Sequence, residues 1–352
     1  MKQGWEIKPF EEILEKVKYS KKIPKQQYKK RGTYPIVSQE QEIISGFWDE
    51  KNDLFRLNKP IVIFGDHTKV VKYIDFDFVI GADGVKILSP TEEILTKYLY
   101  YFVLSVNLRD LGYARHFRLL KEQKIPVPSL LEQGRIVGVL DAAFAKIDAL
   151  KGNAQKNLEN AKALFQQVLK QELTPKPNWQ TKKLGEIIKL QSGDSLSAKK
   201  MEEGPYPVYG GNGISGYHNQ FNHNGEYIIV GRVGALCGNV RLVKGLFWVT
   251  DNAFILSQPK GEFYSLDFLA YYLNFQNLGS FARQTAQPVI SNVALRDIQL
   301  YIPSRDEQKE IVRSLCCINQ KCSKVIANAE KTIAECDALK QAVLRRAFNG
   351  EL

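Results

Sequence analysis

The chain is written twice. Trp5-Glu6-Ile7 returns as Trp179-Gln180-Thr181, and Tyr34-Pro35-Ile36-Val37 as Tyr206-Pro207-Val208-Tyr209. Ile44-Ser45-Gly46-Phe47 returns as Ile214-Ser215-Gly216-Tyr217, and Ile63-Phe64-Gly65 as Ile229-Val230-Gly231. From Pro128 to Lys170 the two copies align without a gap at an offset of 175, with sixteen identities in 43 positions. A period of this length marks a duplicated domain rather than a solenoid. Whatever fold the first copy takes, the second is expected to repeat it.

Each copy ends in a long periodic segment. Ser129-Leu130-Leu131-Glu132 and Ser304-Arg305-Asp306-Glu307 both have the capping-box pattern, each directly after a proline. In the first copy Val137, Leu140, Phe144, Ile147, Lys151, Ala154, Leu158, Ala161, Phe165 and Val168 step by three and four. In the second, Val312, Leu315, Asn319, Cys322, Ile326, Ala329, Ile333, Cys336, Lys340 and Val343 do the same. A seam sustained over about four heptads predicts coiled-coil helices. Thr174-Pro175-Lys176-Pro177 stops the first, since proline cannot continue a helix, and Asn349-Gly350 ends the second. The economical arrangement packs the two stripes together antiparallel, a rod of roughly 65 Å at ~1.5 Å per residue. That arrangement returns the C-terminus to the first unit and gives the molecule a pseudo-two-fold axis.

The remaining segments predict two mixed α/β units in which strands dominate. Short apolar runs at 60–64, 70–74 and 78–80 are broken by Gly or Asp turns and are matched at 227–230, 239–243 and 246–249. A short amphipathic helix is expected near 92–108 and again near 265–276. The fold class is therefore α+β, two homologous units and two long antiparallel helices. The boundaries fall at 1–125, 126–174, 175–302 and 303–352.

A chain of 352 residues can bury two cores, and 44% hydrophobic residues exclude wholesale disorder. No apolar run approaches the ~20 residues of a membrane helix, and Met1-Lys2-Gln3-Gly4-Trp5 is no signal peptide, so a cytoplasmic protein with no membrane partner is expected. The formal net charge of +11 favours a polyanionic partner. Two copies of one surface suit a partner with two-fold symmetry, of which duplex DNA is the commonest. Basic residues crowd Lys21–Arg31 and Arg109–Lys124. Five cysteines show no CxxC spacing; Cys322 and Cys336 stand where the first copy has Ile147 and Ala161, so they read as packing thiols of a reducing compartment.

Chemistry-bearing motifs are sparse. Gly211-Asn212-Gly213-Ile214-Ser215-Gly216 fits G-x-G-x-x-G, but the loop-like stretch after it offers no helix N-terminus to a phosphate. It reads as a glycine-rich loop; the first copy has Ser38-Gln39-Glu40-Gln41-Glu42 there. Asp66…Lys69 and Asp83…Lys86 lack the second acidic strand element of a nuclease site and read as turn aspartates. Neither a catalytic nor a metal site emerges.

Two units, each followed by a helix opening Pro-x-x-x-Glu-Gln-x-x-Ile-Val, resemble the specificity subunit of type I restriction-modification systems. The resemblance spans the whole chain and rests on Ile125–Gln133, Tyr301–Gln308, the start at Trp179–Ile187 and Ser291–Ile298. It implies two target-recognition domains, each reading one half of a bipartite DNA site, with the helices as spacers. It implies two modification subunits carrying S-adenosylmethionine and restriction subunits carrying ATP, Mg and nuclease activity, with no cofactor and no catalysis on this chain. Candidate DNA contacts are Lys25, Lys29, Arg31, Lys69, Arg115 and Arg118 in the first unit. In the second they are Lys199, Lys200, Asn212, Arg232, Arg241 and Arg283. The helix–helix seam is expected at Val137, Leu140, Phe144, Ile147, Leu158, Phe165, Val312, Leu315, Cys322, Ile326, Ile333 and Val343. Two alternatives stay open: a methyltransferase or nuclease with intrinsic activity, and a basic coiled-coil scaffold without sequence preference.

Overall fold

A computed structural model describes residues 4–112, 114–258, 264–283 and 288–352. The chain divides into two compact units, Met1–Gln155 with Glu330–Leu352, and Lys156–Ala329.

In the first unit the elements run β1 (Glu6–Pro9), β2 (Lys22–Ile23), β3 (Tyr34–Val37), β4 (Gly46–Trp48), β5 (Leu54–Phe55), β6 (Ile61–Gly65), β7 (Val71–Ile74), β8 (Phe78–Gly81) and β9 (Val85–Leu88). Then follow α1 (Thr96–Ser105), α2 (Phe117–Lys121), β10 (Lys124–Val127) and α3 (Leu130–Leu173). β6 is buried along its whole length and pairs antiparallel with both β7 and β9, as a continuous apolar run in mid-sheet should. β3 joins β8 in parallel and β4 antiparallel. β1 and β10 close the unit as a two-stranded antiparallel ribbon, Glu6 opposite Val127.

The second unit repeats the plan. It contains β11 (Gln180–Lys183), α4 (Leu184–Ile187), β12 (Lys189–Ser192), β13 (Tyr206–Gly210), β14 (Gly213–His218), β15 (His223–Gly231), β16 (Val240–Val249) and β17 (Ala253–Ser257). α5 (Leu266–Phe275), α6 (Asn292–Arg296), β18 (Gln299–Ile302) and α7 (Arg305–Asn349) complete the chain. β15 pairs with β16 and β17 as β6 pairs with β7 and β9, and β11 pairs with β18 as β1 with β10. The long-range parallel pairing returns too: Val37 beside Ile80, and Tyr209 beside Val249. One expectation differs. The predicted break between 239–243 and 246–249 does not occur, because Gly245 adopts φ +99° and carries β16 through as one strand. In the first unit Asp77 instead turns its carboxylate to the Leu57 amide at 2.8 Å, between β7 and β8.

The long helices start as their proline-capped sequences dictate. Ser129 Oγ accepts the Glu132 amide at 3.4 Å, and Ser304 Oγ the Glu307 amide at 3.3 Å. The glutamine after each glutamate is buried and pins the first helical turn to the start of the short helix. Gln133 donates to the Glu93 and Pro128 carbonyls and accepts the Leu95 amide; Gln308 donates to Pro303 and accepts the Ser265 amide. α3 ends one residue before Thr174-Pro175, and Gly350 terminates α7 at φ +78°.

Within each unit the helices run antiparallel. In the first, Asp148 pairs with Lys340 and Lys151 with Asp337, while Arg135 reaches the Leu352 carbonyl at 2.8 Å. In the second, Ser314 donates to Glu172 at 2.8 Å and Lys176 pairs with Glu307 at 2.9 Å. Leu140, Ile147, Ala154 and Ala161 form one buried heptad column on α3; Leu315, Cys322, Ala329 and Cys336 form the equivalent column on α7. Val137, Phe144, Leu158, Phe165, Val312, Ile326, Ile333 and Val343 are half-buried beside them. Lys340, a polar breach in the stripe, lays its ammonium 4.8 Å from the Phe144 ring centroid while pairing with Asp148. Phe348 at the end of α7 packs on Tyr98 and Phe102, so the C-terminus completes the core of the first unit.

Candidate nucleic-acid interface

In the first unit four loops are tied into one surface. Lys25, on a 3-10 turn, pairs with Glu40 at 2.8 Å, joining segment 25–27 to the β3–β4 loop. Gln39 of that loop holds the β6–β7 hairpin: its side-chain oxygen accepts the His67 amide at 3.1 Å, and its carbonyl accepts the Thr68 hydroxyl at 2.6 Å. The hairpin in turn holds the segment before α2. The Asp66 carbonyl accepts the His116 amide at 2.7 Å, and its buried carboxylate accepts the Phe117 amide at 2.8 Å with Lys86 at 3.5 Å. Lys69, at φ +59°, pairs with Asp110 at 3.3 Å.

The second unit ties corresponding loops together with backbone and glycine. β13 and β14 form a hairpin whose turn is Gly211-Asn212, with Gly210 opposite Gly213. The Gly211 carbonyl lies so close to Gly231 that a Cβ there would meet it at 2.2 Å. The Arg232 carbonyl accepts the Ile290 amide at 3.0 Å, the counterpart of the Asp66–His116 bond. Asn212, Ser215, Val233 and Asn252 line a cleft of ≈460 Å³. The G-x-G-x-x-G segment is thus a β-hairpin turn entering a strand, not a strand entering a helix.

The structure distributes the candidate contacts unevenly. Arg31, Arg115, Arg118, Lys199 and Lys200 are exposed, and among the described residues no carboxylate pairs with them. Lys25 and Lys69 also stand on the tied loops, each with an acidic partner. Lys29 turns to β4, pairing with Asp49 at 2.8 Å over the Trp48 ring. Arg283 is exposed, its backbone bridged to Val289 beside the Arg232 loop. Asn212 sits exposed at the hairpin tip. Arg232 is half-buried over Phe254, donating to Ser192 at 3.3 Å, with its Nε buried and unpartnered. Arg241 donates to the Asn212 carbonyl at 3.5 Å.

The largest omission from the sequence reading is Lys72. It is only 4% exposed in β7, and its ammonium donates to the Ser38 carbonyl at 2.8 Å and to that of Glu42. Burial pulls its pKa down to about 8. The signal was a lysine inside the run Val70-Val71-Lys72-Tyr73-Ile74. Asp66 and Asp83 are both held in turns, Asp83 by its own neighbour's amide, Gly84, at 2.8 Å. Among the described residues no group of three His, Cys, Asp or Glu could hold a metal ion, and no helix is long and apolar enough to cross a membrane.

The family described as the type I restriction modification DNA specificity domain matches residues 2–160 and 176–333, one match per repeat. The chain belongs to this specificity-domain family. Among its relatives, the type I restriction enzyme EcoprrI specificity subunit of Escherichia coli is 39% identical over 132 residues, 36% of this chain and 32% of the relative. The EcoR124I/EcoR124II specificity subunit, also of Escherichia coli, is 29% identical over 187 residues, 48% of this chain and 45% of the relative. The matches thus span less than half the length of either specificity subunit. A chain in a structure of type I R-M system assembly and conformational transition gives a TM-score of 0.72 at 18% identity, covering 100% of this chain and 99% of that one. The S subunit from M. genitalium gives 0.53 at 19% identity, over 98% and 96%. Both share the fold of this specificity-domain protein.

Proposed function

We propose that the chain is the DNA-reading subunit of a type I restriction-modification assembly. Residues 1–125 and 175–302 each read one half of a bipartite duplex site, and the helical segments 126–174 and 303–352 space them. The observation that carries this reading is the repeated loop surface: two similar units each tie a β-hairpin turn, a strand-to-strand loop and the segment before a five-residue helix into one face. Phosphate contacts come from Arg31, Arg115, Arg118, Lys199, Lys200 and Arg283, with Lys25, Lys29 and Lys69 free to exchange their surface carboxylates for phosphates. Base edges are met by Asn212 and its neighbours at the hairpin tip.

Methyl transfer and cleavage belong to separate modification and restriction subunits, which carry S-adenosylmethionine, ATP and Mg; the cytoplasm is where this reading places the chain. The helices supply a docking face. Leu150 and Leu339 in the first unit are 52% and 49% exposed, and Leu164 and Val325 in the second 48% and 43%. These are the same two positions of each repeat, so two copies of one modification subunit would find two copies of one apolar face. The test is methyl transfer to DNA by the purified chain, alone and with its modification subunit. Incorporation only in the mixture, at one sequence, is expected. Transfer by the chain alone would establish an enzyme, and binding without sequence preference a scaffold.

A further inference from the structure

Ile63 and Ile229 are repeat equivalents, and each faces a basic residue across its antiparallel pair: Lys72 in β7 and Arg241 in β16. The two basic residues therefore occupy one position of the fold. Both reach back to the same loop, the one joining β3 to β4 or β13 to β14. Lys72 binds the Ser38 and Glu42 carbonyls, which bracket Gln39-Glu40-Gln41. Arg241 binds the Asn212 carbonyl, and its guanidinium lies beneath Gly213, where a Cβ would fall 2.9 Å from the guanidinium carbon.

We infer that Lys72 and Arg241 are positioning residues for recognition: each holds its unit's hairpin loop in the conformation that reads one half-site, without itself touching DNA. The inference rests on the DNA-reading function proposed above. Three further observations support it. First, Lys72 is too deeply buried to reach a phosphate. Its hydrogen bonds go to main chain, so they fix loop shape whatever side chains the loop carries. Second, the loop it holds is the hub of the first unit's surface, because Gln39 between the two clamped carbonyls carries the β6–β7 hairpin. A Ser38–Ser45 hydroxyl pair at 2.7 Å closes the loop's base. Third, at the equivalent position the second unit has an exposed arginine donating to the hairpin turn and a glycine at φ +108° at the start of β14, so the loop can change in sequence while the basic residue behind it persists. The role removes Arg241 from the set of direct DNA contacts.

The test uses the full chain complexed with its modification subunit and duplexes carrying single base-pair changes in either half-site. A mismatch typically weakens binding roughly fivefold to a hundredfold. Lys72→Met, which keeps the stem and removes the donors, should lose that discrimination in the first half-site alone. Second-half discrimination and the salt dependence of binding should stay as in the wild type. Lys72→Arg should restore most of the loss. Arg241→Met should do the converse in the second half-site, and its exposed side chain keeps this arm informative if Lys72→Met does not fold. Unchanged half-site discrimination in both methionine variants would overturn the positioning role. A salt slope reduced by about one charge would also overturn it, since that marks a direct phosphate contact. A wild-type complex that discriminates in neither half-site would overturn the DNA-reading function itself, a separate outcome.

Discussion

Lys72 shows how a single side chain couples stability to pH in this fold. Its pKa falls from 10.5 to about 8 because burial penalises the charged form. A base whose folded pKa lies below its unfolded value binds fewer protons when folded, so stability rises with pH between the two values. The stability difference between wild type and Lys72→Met should therefore move in favour of the wild type from about pH 8 to 10.5, measured by urea unfolding. Gln133 makes an unconditional contribution. Gln133→Leu strands the Leu95 amide and two carbonyls, at a cost of about 1–3 kcal/mol for a buried group left unpaired. Thiol titration of the native chain should label Cys316 and Cys317, which are exposed, well before Cys322 and Cys336, which are buried. Neither glutamine's role nor the lysine clamp follows from pattern reading. The Glu-Gln motif was visible, but its partners are main-chain groups, one five residues back and the others some 40 residues away, and main chain carries no sequence signal. The clamp lysine stood out only as a charge inside an apolar run, with nothing to say which carbonyls it would meet.

At the scale of elements, the long helices were legible almost to their ends because period, cap and proline act within a few residues of one another. The buried heptad column narrows the stripe: Leu140, Ile147, Ala154 and Ala161 on α3, and Leu315, Cys322, Ala329 and Cys336 on α7, are its buried members, and Ala154, Ala161, Ala329 and Cys336 are small. Ala154→Leu should overpack and destabilise by about 1–3 kcal/mol in urea unfolding. Leu150→Lys, on the exposed column four residues earlier, should change stability by no more than about 0.5 kcal/mol. On the proposed function, it should instead weaken association with the modification subunit, measured by calorimetry on the same preparation. The strands were legible as runs but not as a sheet. β3 pairs in parallel with β8, and β13 with β16, across some 40 residues each, and no local pattern distinguishes a parallel neighbour from an antiparallel one.

For the whole molecule, the repeat was the strongest guide. Duplication fixed the number of units and their likeness, while the tied loops proposed to read DNA lie where the copies differ most. Ser38–Glu42 and Gly211–Gly216 share a place in the fold and almost no chemistry, so the sequence did not separate exposed cations such as Arg31 and Lys199 from Arg241, which donates to the Asn212 carbonyl. The same divergence predicts independent reading. The second unit's core, built from residues such as Phe254, Phe268 and Leu300, can accept new loops without disturbing the first unit's core around Phe10, Tyr98 and Phe348. The direct test exchanges residues 178–302 for the equivalent segment of a relative and maps methylation genome-wide in cells that carry the modification subunit. One half of the methylated site should change and the other should remain base for base. Both halves changing together, or neither, would contradict the account of two separate readers on one chain.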